Sequence, residues 1–292
     1  MKKRTIFALG FFDGVHLGHQ VLLHACRDLA QQKDCGSAAI TFDRHPQSLF
    51  SQNPPLLLAG LSVRQMLLNH FGVEKVHTFP VTKEVMSTDW QDFLANLLQE
   101  GAAGFVCGDD FRFGHRGEGN SEKLRQFCAE RNLPCIIVPE QTLEGVRISS
   151  THIRTLVEAG DMETATRFLG HPHMLSGEVV SGRQIGRTIG VPTANILIPD
   201  EVVVPKLGVY ATECLIDGVR HKAVTNIGSR PTVEGHQVRA ESWILDFDGD
   251  LYGKHMTVLF HKFLRPEQKF ASLEALKAQI QKDAAQVNIL LR

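Results

Sequence analysis

Apolar and polar residues alternate along the first half of the chain in two patterns, one typical of buried strands and one typical of helices. Short apolar runs cover residues 5–9, 37–42, 74–81, 103–107 and 135–139. Between and after them, apolar residues recur at helical spacing at residues 19–33, 62–71, 88–101, 121–131 and 150–158. Because strands and helices alternate in this regular way, we expect an α/β domain with a parallel, doubly wound sheet.

The second half follows a different pattern. From about Gly170 the helical periodicity stops, and strand-like runs follow at residues 175–180, 209–216, 221–227, 238–247 and 255–263. Residues 171–173 (HPH) are expected to form a linker turn, and Asp217-Gly218 is a hairpin signal. Such a series predicts an antiparallel barrel or sandwich, closed by an amphipathic helix from Ser272. We therefore expect two domains, at residues 1–169 and 170–292.

Composition and charge narrow the class of protein. The chain has 292 residues, 43% of them hydrophobic, and a formal net charge of −1, whereas a nucleic-acid-binding protein would normally carry a basic excess. Its six cysteines include no CxxC pair, which favours free thiols in a reducing compartment over disulfides or a metal site. No signal-type apolar region follows the basic start, and no stretch reaches the roughly 18 apolar residues of a membrane span. We expect a soluble, cytoplasmic protein that binds neither nucleic acid nor membranes.

Residues 10–19 (GFFDGVHLGH) join the first predicted strand to the first predicted helix. A strand, a glycine-bearing turn and a helix N-terminus form a phosphate site in α/β folds, because free N–H groups and the helix dipole point there. His16 and His19 fall on one side of the opening helical turn, and Gly18 lets a substrate approach the backbone. The imidazoles can donate hydrogen bonds to a triphosphate as it is cleaved. A zinc pair or two ordinary surface histidines are the alternatives, but no nearby Cys or His has zinc-ligand spacing.

Two further loops leave predicted strands at the edge of the sheet where ligands bind in such folds. One contains His45 and Pro46, and an imidazole beside a rigid proline could pack on an aromatic ligand, although these residues alone favour a plain turn. The other contains Asp110 and Phe111, which combine a charge with an aromatic ring. Both loops are candidate walls of a ligand site.

Residues 147–154 (RISSTHIR) close the first half. Ser149 or Ser150 would serve as the N-cap of the following helix, which explains the serines but not the flanking arginines. Arg147 and Arg154, with hydroxyls and helix N–H groups between them, form a second phosphate-binding surface. Because both motifs stand at opposite ends of one predicted domain, we favour nucleotide chemistry over the purely structural explanation.

In the second half, glycines recur at every fourth position from residue 182 to residue 190, which indicates a loop of close backbone approach. Residues 192–195 (PTAN) follow, and Thr193 and Asn195 would present a hydroxyl and an amide oxygen on the same side of an extended chain. Two neutral oxygens suit Mg²⁺, which takes few protein ligands and completes its shell with phosphate and water. A glycine-rich turn without a ligand is the alternative.

The His-x-Gly-His pattern is that of the nucleotidyltransferase superfamily, and the longer string through Asp13 resembles the bacterial FAD synthetases. The second half resembles the riboflavin kinase domain in PTAN at 192–195, NIGSRPT at 226–232, AESWILDF at 240–247, LYG at 251–253 and LRPEQKF at 264–270. The whole chain is thus similar to the family of bifunctional riboflavin kinase/FMN adenylyltransferases. It departs from the family pattern at Phe11, where Asn is frequent, and at Ser242-Trp243, where a valine–histidine pair often follows the glutamate.

The resemblance implies an α/β nucleotidyltransferase domain followed by an antiparallel β-barrel kinase domain with a terminal helix. It implies that the second domain uses Mg-ATP to phosphorylate riboflavin to FMN, and that the first transfers AMP from a second ATP to FMN, giving FAD and pyrophosphate. His16 and His19 would stabilise the transition state of adenylyl transfer. Glu241, in a predicted strand among apolar neighbours, would be the general base of the kinase.

Further residues would bind the ligands. Thr193 and Asn195 would hold Mg²⁺ with ATP, and Arg265 would lie near the flavin. The other positions expected to contact ATP or flavin are Gly10, Phe12, Asp13, Gly18, His45, Pro46, Asp110, Phe111, Arg147, Ser150, Thr151, Arg154, Gly186, Arg187, Gly190 and Pro192. Two rival functions are a non-catalytic flavin- or nucleotide-binding regulator and an HxGH nucleotidyltransferase of other specificity. The partners expected are small-molecule substrates, and the sequence predicts no oligomeric state.

Overall fold

A computed structural model of the chain describes residues 4–181, 190–232 and 235–292. The chain divides into two compact units, one formed by Met1–Leu57 and Leu61–Ser150, the other by Leu58–Gly60 and Thr151–Arg292.

The first unit is built on a five-stranded sheet. Its strands are β1 (Thr5–Leu9), β2 (Gly36–Phe42), β3 (Lys75–Phe79), β4 (Ala102–Gly108), β5 (Arg112–Phe113), β6 (Gly119–Asn120), β7 (Cys135–Val138), β8 (Thr142–Leu143) and β9 (Val146–Arg147). The main sheet has the order β3-β2-β1-β4-β7, and all neighbouring strands in it are parallel. The predicted parallel α/β sheet is therefore confirmed, with β1 at its centre.

Helices connect these strands and cover the core. They are α1 (Leu17–Gln32), α2 (Leu61–His70), α3 (Lys83–Met86), α4 (Trp90–Gln99) and α5 (Ser121–Ala129). The apolar spacing of α4 buries Leu94 and Leu97 against β1 and β4, as predicted. That helix begins at Trp90 because Asp89 caps it, its carboxylate accepting a hydrogen bond from the Gln91 N–H at 2.7 Å.

The second unit contains a closed antiparallel barrel. Its elements are α6 (Ser150–Ala159, which starts at the end of the first unit), α7 (Met162–Leu169), β10 (His173–Val180), β11 (Ala194–Leu197), β12 (Gly208–Ile216), β13 (Val219–Thr232), β14 (Gly235–Ile244), β15 (His255–Arg265) and α8 (Leu273–Leu290). The strand order is β10-β11-β14-β13-β12-β15, and β15 pairs back with β10. The second half is thus a barrel and not a sandwich.

Two expectations about the ends of this unit are wrong. His173 does not lie in a linker turn but is the buried first residue of β10, where it packs near Phe260. The amphipathic pattern from Ser272 places Leu273 on the same side of the terminal helix as Val287, but Leu273 is 51% exposed while Val287 is buried against the barrel.

Two observations bear on the class of protein. In the ranges that the structure describes, none of the helices is long and apolar enough to cross a membrane. The six cysteines are free thiols, in agreement with the prediction from their spacing.

Candidate active sites

The loop of residues 10–16 leads from the carboxyl end of β1 into α1 and adopts an unusual backbone. Phe12 (φ 59°), Gly14 (φ 76°) and Val15 (φ 43°) all lie in the left-handed region. Residues with a side chain rarely adopt this region, and a β-branched residue is a true outlier there. Such strain persists only where surrounding contacts enforce it, and it is concentrated at functional sites.

The two histidines meet at the first turn of α1. His16 is the N-cap, and its Nδ1 accepts a hydrogen bond from the His19 N–H at 3.3 Å. The two rings stack with centroids 3.6 Å apart and planes 11° from parallel, as their spacing predicted. A Cβ at Gly18 would lie 3.3 Å from the His16 ring, so glycine keeps this turn open.

The environment of His19 keeps its imidazole uncharged. Burial lowers the pKa of His19 well below 6.5, and positive charge on His16 and on Arg64 lowers it further. The residue is partly exposed, but Nδ1 is enclosed and has no hydrogen-bond partner among the described residues. A neutral imidazole with one unused nitrogen can still donate or accept a hydrogen bond to a ligand.

A polar cleft of about 210 Å³ lies in front of the histidine pair. Its lining includes His16, His19 and Gly18, and also Ser150. The Ser150 hydroxyl donates a hydrogen bond to the carbonyl oxygen of Asp13 at 3.0 Å. The second predicted phosphate motif therefore meets the first at its serine.

Arg147 lines the same cleft and forms ion pairs there. Its Nη2 lies 2.9 Å from the Asp110 carboxylate and 2.5 Å from that of Glu140. All three side chains are at least 45% exposed, so the pairs are weakly stabilising.

A larger apolar cleft of about 660 Å³ opens beside the same loop. Its lining includes Gly10, Phe42, Pro46, Phe50, Phe111 and Phe113. Phe111 and Phe113 stack with ring centroids 5.5 Å apart, and the His45 ring stands edge-on to Phe11 at 5.0 Å. A Cβ at Gly10 would lie 2.9 Å from the Phe12 ring, which explains the glycine at this point.

In the barrel, three polar residues of neighbouring strands lie side by side. Glu241 of β14 is directly opposite Asn195 of β11 on one side and Asn226 of β13 on the other. Residues directly opposite in an antiparallel pair point to the same face, so the carboxylate lies between two amides. The Asn226 amide also donates a hydrogen bond to Glu267 at 2.9 Å.

Thr193 separates two clefts of the second unit. One has a volume of about 240 Å³ and is lined by Pro192, Asp248 and Tyr252 among others. The second has a volume of about 380 Å³, and the residues that line it include Glu241. Thr193 belongs to both linings, so groups bound in the two clefts would meet beside it.

Asn195 has an amide oxygen that lacks a partner. The residue is buried, and its Nδ2 donates a 3.4 Å hydrogen bond to the Thr193 carbonyl oxygen. Its Oδ1 is enclosed and accepts no hydrogen bond from the described part of the chain. Because an unsatisfied buried acceptor is costly, this oxygen is suited to a cation or another ligand.

Arg265 lines the larger barrel cleft but is held by another residue. It forms a two-pronged ion pair with the buried Asp283 of α8, with Nη2 and Oδ2 2.7 Å apart. Strand alternation turns Trp243 into the same cleft as Glu241, while Ser242 points into the barrel and contacts the Thr225 hydroxyl at 2.8 Å. The departure from the family pattern at residues 242–243 therefore changes one wall of this cleft and one interior contact.

The remaining predicted residues are distributed as follows. Gly190, with a φ of 74°, and Pro192 precede β11, whereas Gly186 and Arg187 lie outside the described residues. Thr151 and Arg154 lie on α6 in the second compact unit.

Sequence reasoning assigned no role to Arg64, Asn226 and Asp283. Asn226 belongs to the segment NIGSRPT at 226–232, which resembles the riboflavin kinases. Arg64 and Asp283 are charged residues on the otherwise apolar buried faces of α2 and α8. A charge in an apolar helical stripe is the signal that could have identified them. Within the described ranges, no group of three or more His, Cys, Asp or Glu side chains could hold a metal ion.

Comparison with known proteins gives consistent matches. The model of the family described as FAD synthetase matches residues 1–152, and the model of the riboflavin kinase family matches residues 169–291. A bifunctional riboflavin kinase/FMN adenylyltransferase of Listeria monocytogenes is 36% identical, over 95% of this chain and 90% of its own length. The protein of the same description from Escherichia coli K12 is 37% identical, with the same two coverages of 95% and 90%. A crystal structure described as a macrolide-efflux protein from Streptococcus pneumoniae has a TM-score of 0.86 at 30% identity, covering 99% of this chain and 95% of that one.

Proposed function

Because the chain belongs to the family of bifunctional riboflavin kinase/FMN adenylyltransferases, we propose that each of its two units holds one active site. The protein is an enzyme that phosphorylates riboflavin to FMN with ATP and adenylylates FMN to FAD with release of pyrophosphate. We assign adenylyl transfer to residues 1–169, most of which form the first unit, and the kinase to residues 170–292, which all lie in the second unit.

Adenylyl transfer is assigned to the polar cleft because the stacked His16 and His19 line it. An oxygen of the FMN phosphate attacks the α-phosphorus of ATP, a P–O bond forms, and the bond to pyrophosphate breaks. No protein nucleophile is needed, so the protein contributes position and stabilisation of charge. His16 and His19 donate hydrogen bonds to the transferring phosphoryl group, and Ser150 binds a phosphate. Arg147 exchanges its two carboxylates for a phosphate when the nucleotide binds.

The flavin of FMN is assigned to the apolar cleft of about 660 Å³ in the same unit. A planar, largely apolar ring system fits a cleft with aromatic walls such as Phe111 and the neighbouring proline, Pro46. The cleft begins at Gly10, at the start of the loop that carries the histidines. The FMN phosphate would then reach the polar cleft, where ATP binds.

Riboflavin phosphorylation is assigned to the barrel because Thr193 lines both of its clefts. ATP binds in the cleft of about 240 Å³ that is lined by Asp248. Riboflavin binds in the cleft of about 380 Å³ that is lined by Glu241 and Trp243. Glu241 takes the proton of the ribityl 5′-hydroxyl as that oxygen attacks the γ-phosphorus, and ADP leaves. The pairing of β14 with β11 and β13 fixes the position of this residue between Asn195 and Asn226.

The residues near Thr193 fit a magnesium ion bound with ATP. The orphaned Oδ1 of Asn195 and the Thr193 hydroxyl are neutral oxygens of the kind Mg²⁺ accepts. When bound there, the ion would neutralise phosphate charge, and the protein residues would fix its position. Arg265, held by its ion pair with Asp283, forms part of the wall of the cleft in which riboflavin binds.

A chromatographic time course with riboflavin, ATP and Mg²⁺ tests the function, following riboflavin, FMN and FAD separately. FMN that rises first and FAD that follows is the expected result. FMN without FAD would favour an HxGH transferase of other specificity in the first unit, with Phe11 the first residue to examine. A folded protein that forms neither product would support the rival reading of a non-catalytic regulator.

A further inference from the structure

Arg64 is a charged residue buried beneath the loop of residues 10–16. It lies on α2 among the apolar side chains of that helix and is 0% exposed. Its guanidinium carbon lies 4.4 Å above the centre of the Phe11 ring, and Nη2 donates a hydrogen bond to the Phe42 carbonyl oxygen. Its Nε and Nη1 are enclosed, with no hydrogen-bond partner in the described part of the chain.

This guanidinium stays charged at neutral pH. Burial lowers the pKa of Arg64 to about 10, while the carboxylates of Asp13 and Asp43 oppose that shift. Asp43 is itself fixed, since its Oδ1 accepts a hydrogen bond from the Val81 N–H at 2.8 Å. A permanent positive charge therefore lies under the loop, within electrostatic reach of two acidic groups.

Fold stability does not account for such a residue. An apolar side chain of similar size would cover this face of α2 without the cost of removing a charge from water. Two of the guanidinium nitrogens gain no hydrogen bond in return. The position of Arg64 therefore calls for a role in the neighbouring site.

The strained loop needs support from side chains. Its carbonyl oxygens are bound by side chains at three places, the Phe11 carbonyl by the Thr41 hydroxyl at 2.7 Å, the Asp13 carbonyl by the Ser150 hydroxyl at 3.0 Å and the Val15 carbonyl by the Gln20 amide at 2.9 Å. Arg64 adds a different kind of contact, because it packs on the face of the Phe11 ring and attracts the Asp13 carboxylate.

We propose that Arg64 is a positioning residue for adenylyl transfer, which holds the loop of residues 10–16 in its strained conformation and places a fixed positive charge beside His19. The inference rests on the proposed transferase site and extends it to a residue outside both clefts. Arg64 acts through the loop and through His19, not by touching the nucleotide.

The charge of Arg64 has a specific consequence for His19. The charged groups that act on His19 are His16, on the same helix turn, and Arg64, from α2. Asp13 and Asp43 act on Arg64 from the loop and from the end of β2. Removing the positive charge would raise the pKa of His19, both directly and by leaving the two carboxylates uncompensated. Because the proposed mechanism uses neutral His19, protonation of its imidazole on acidification would then abolish adenylyl transfer at a higher pH than in the parent enzyme.

Two variants separate position from charge. Arg64→Met removes the charge at similar volume, and Arg64→Lys keeps the charge but loses the planar surface and the fork of donors. Arg125→Met, an exposed arginine of the same unit, is the matched control. FAD formation from supplied FMN is measured as a function of pH, FMN formation by the barrel in the same samples normalises the amount of enzyme, and thermal unfolding followed by Trp90 fluorescence in a Trp243→Phe background shows that the first unit is folded.

We expect Arg64→Met to lower kcat for FAD formation about 10- to 100-fold and to move the acid limb of the pH profile to higher pH. Arg64→Lys should lower kcat while the acid limb stays in place. Two outcomes would overturn the inference and leave the proposed transferase function intact. One is an Arg64→Met enzyme with the kcat of the wild type. The other is a lower kcat in both variants while the acid limb of the pH profile does not move. Absence of FAD from the wild-type enzyme would overturn the proposed transferase function and the inference with it.

Discussion

The two candidate sites are assembled in opposite ways. In the first unit, His16 and His19 come from one short stretch, and their geometry depends on a backbone in left-handed conformations. In the barrel, Asn195, Asn226 and Glu241 are far apart in the chain and meet because three strands pair in register. The first site is local in sequence and strained, while the second is assembled from distant segments on regular strands.

The difference predicts where each site is sensitive to substitution. A strained loop depends on supporting side chains that do not touch the substrate, as we infer for Arg64. A strand ladder holds its side chains through backbone hydrogen bonds, so the kinase should respond mainly to changes in residues that line its clefts. Since both activities reside in one chain, each normalises the amount of enzyme in the assay of the other, while a control variant in the same unit checks the effect of substitution on the fold.

The largest expected effect is on the kinase. Glu241→Gln should lower FMN formation by about 10²- to 10⁴-fold, because an amide cannot accept the ribityl proton. FAD formation from supplied FMN should be unchanged, as measured by chromatography of the same samples. Glu213→Gln, at a half-buried carboxylate elsewhere on the barrel, is the control and should retain both activities. FMN formation at the parental rate in Glu241→Gln would remove this residue from the mechanism.

The corresponding change at the other site should be smaller. His19→Ala should slow FAD formation by about 10²-fold, the scale for loss of one donor to a developing charge, and should spare the kinase. His24→Ala on the same helix is the matched control. A His19→Ala enzyme that makes FAD at the parental rate would show that the stacked pair has no role in the transition state.

A third substitution tests the proposed magnesium ligands. Asn195→Ala removes the orphaned oxygen and should raise the Mg²⁺ concentration needed for half-maximal FMN formation by about 10-fold or more. The measurement is a Mg²⁺ titration of the kinase at saturating riboflavin, with Asn288→Ala on α8 as the control. An unchanged midpoint with a lower maximal rate would assign Asn195 to positioning Glu241 instead.

The smallest effect concerns the stability of the barrel. Burial lowers the pKa of His173 to about 3, with a smaller contribution from positive charge on His171. The unfolded chain takes up this proton near pH 6.5 and the folded chain only near pH 3, so stability is lost as pH falls between these values. The contribution of this residue is about 1.4 kcal/mol for each pH unit in that range.

Urea unfolding at pH 6 and pH 5 measures this slope, with Trp243 fluorescence as the probe in a Trp90→Phe background. His173→Gln should show a smaller loss of stability between the two pH values than the parent. His221→Gln, at another barrel histidine, should behave like the parent. Equal slopes in all three proteins would mean that His173 is accessible to protons in the folded state.

Several parts of the fold were predictable because they depend on local pattern. The parallel sheet follows from the alternation of apolar runs with helical stripes, and the first strand, loop and helix follow from residues 5–33. The apolar pattern alone left barrel and sandwich open, because the choice depends on β15 pairing with both β10 and β12, whereas the family resemblance implied the barrel that the structure confirms. His173 was misassigned because a short His-Pro-His segment resembles a turn, and burial in the barrel overrides that local preference.

The sequence by itself determined the order of the helices and strands, the motifs of both domains and the position of the histidine pair, because these depend on the spacing of neighbouring residues. Only the tertiary structure decided that Glu241 lies between two asparagines, that Thr193 borders two clefts, and that Arg265 is held by Asp283. The physical reason is that strand register and helix docking are fixed by contacts between distant segments. For the same reason, the sequence marks Arg64 only as a charge in an apolar helical stripe, and its burial under the loop is what indicates a role in the site.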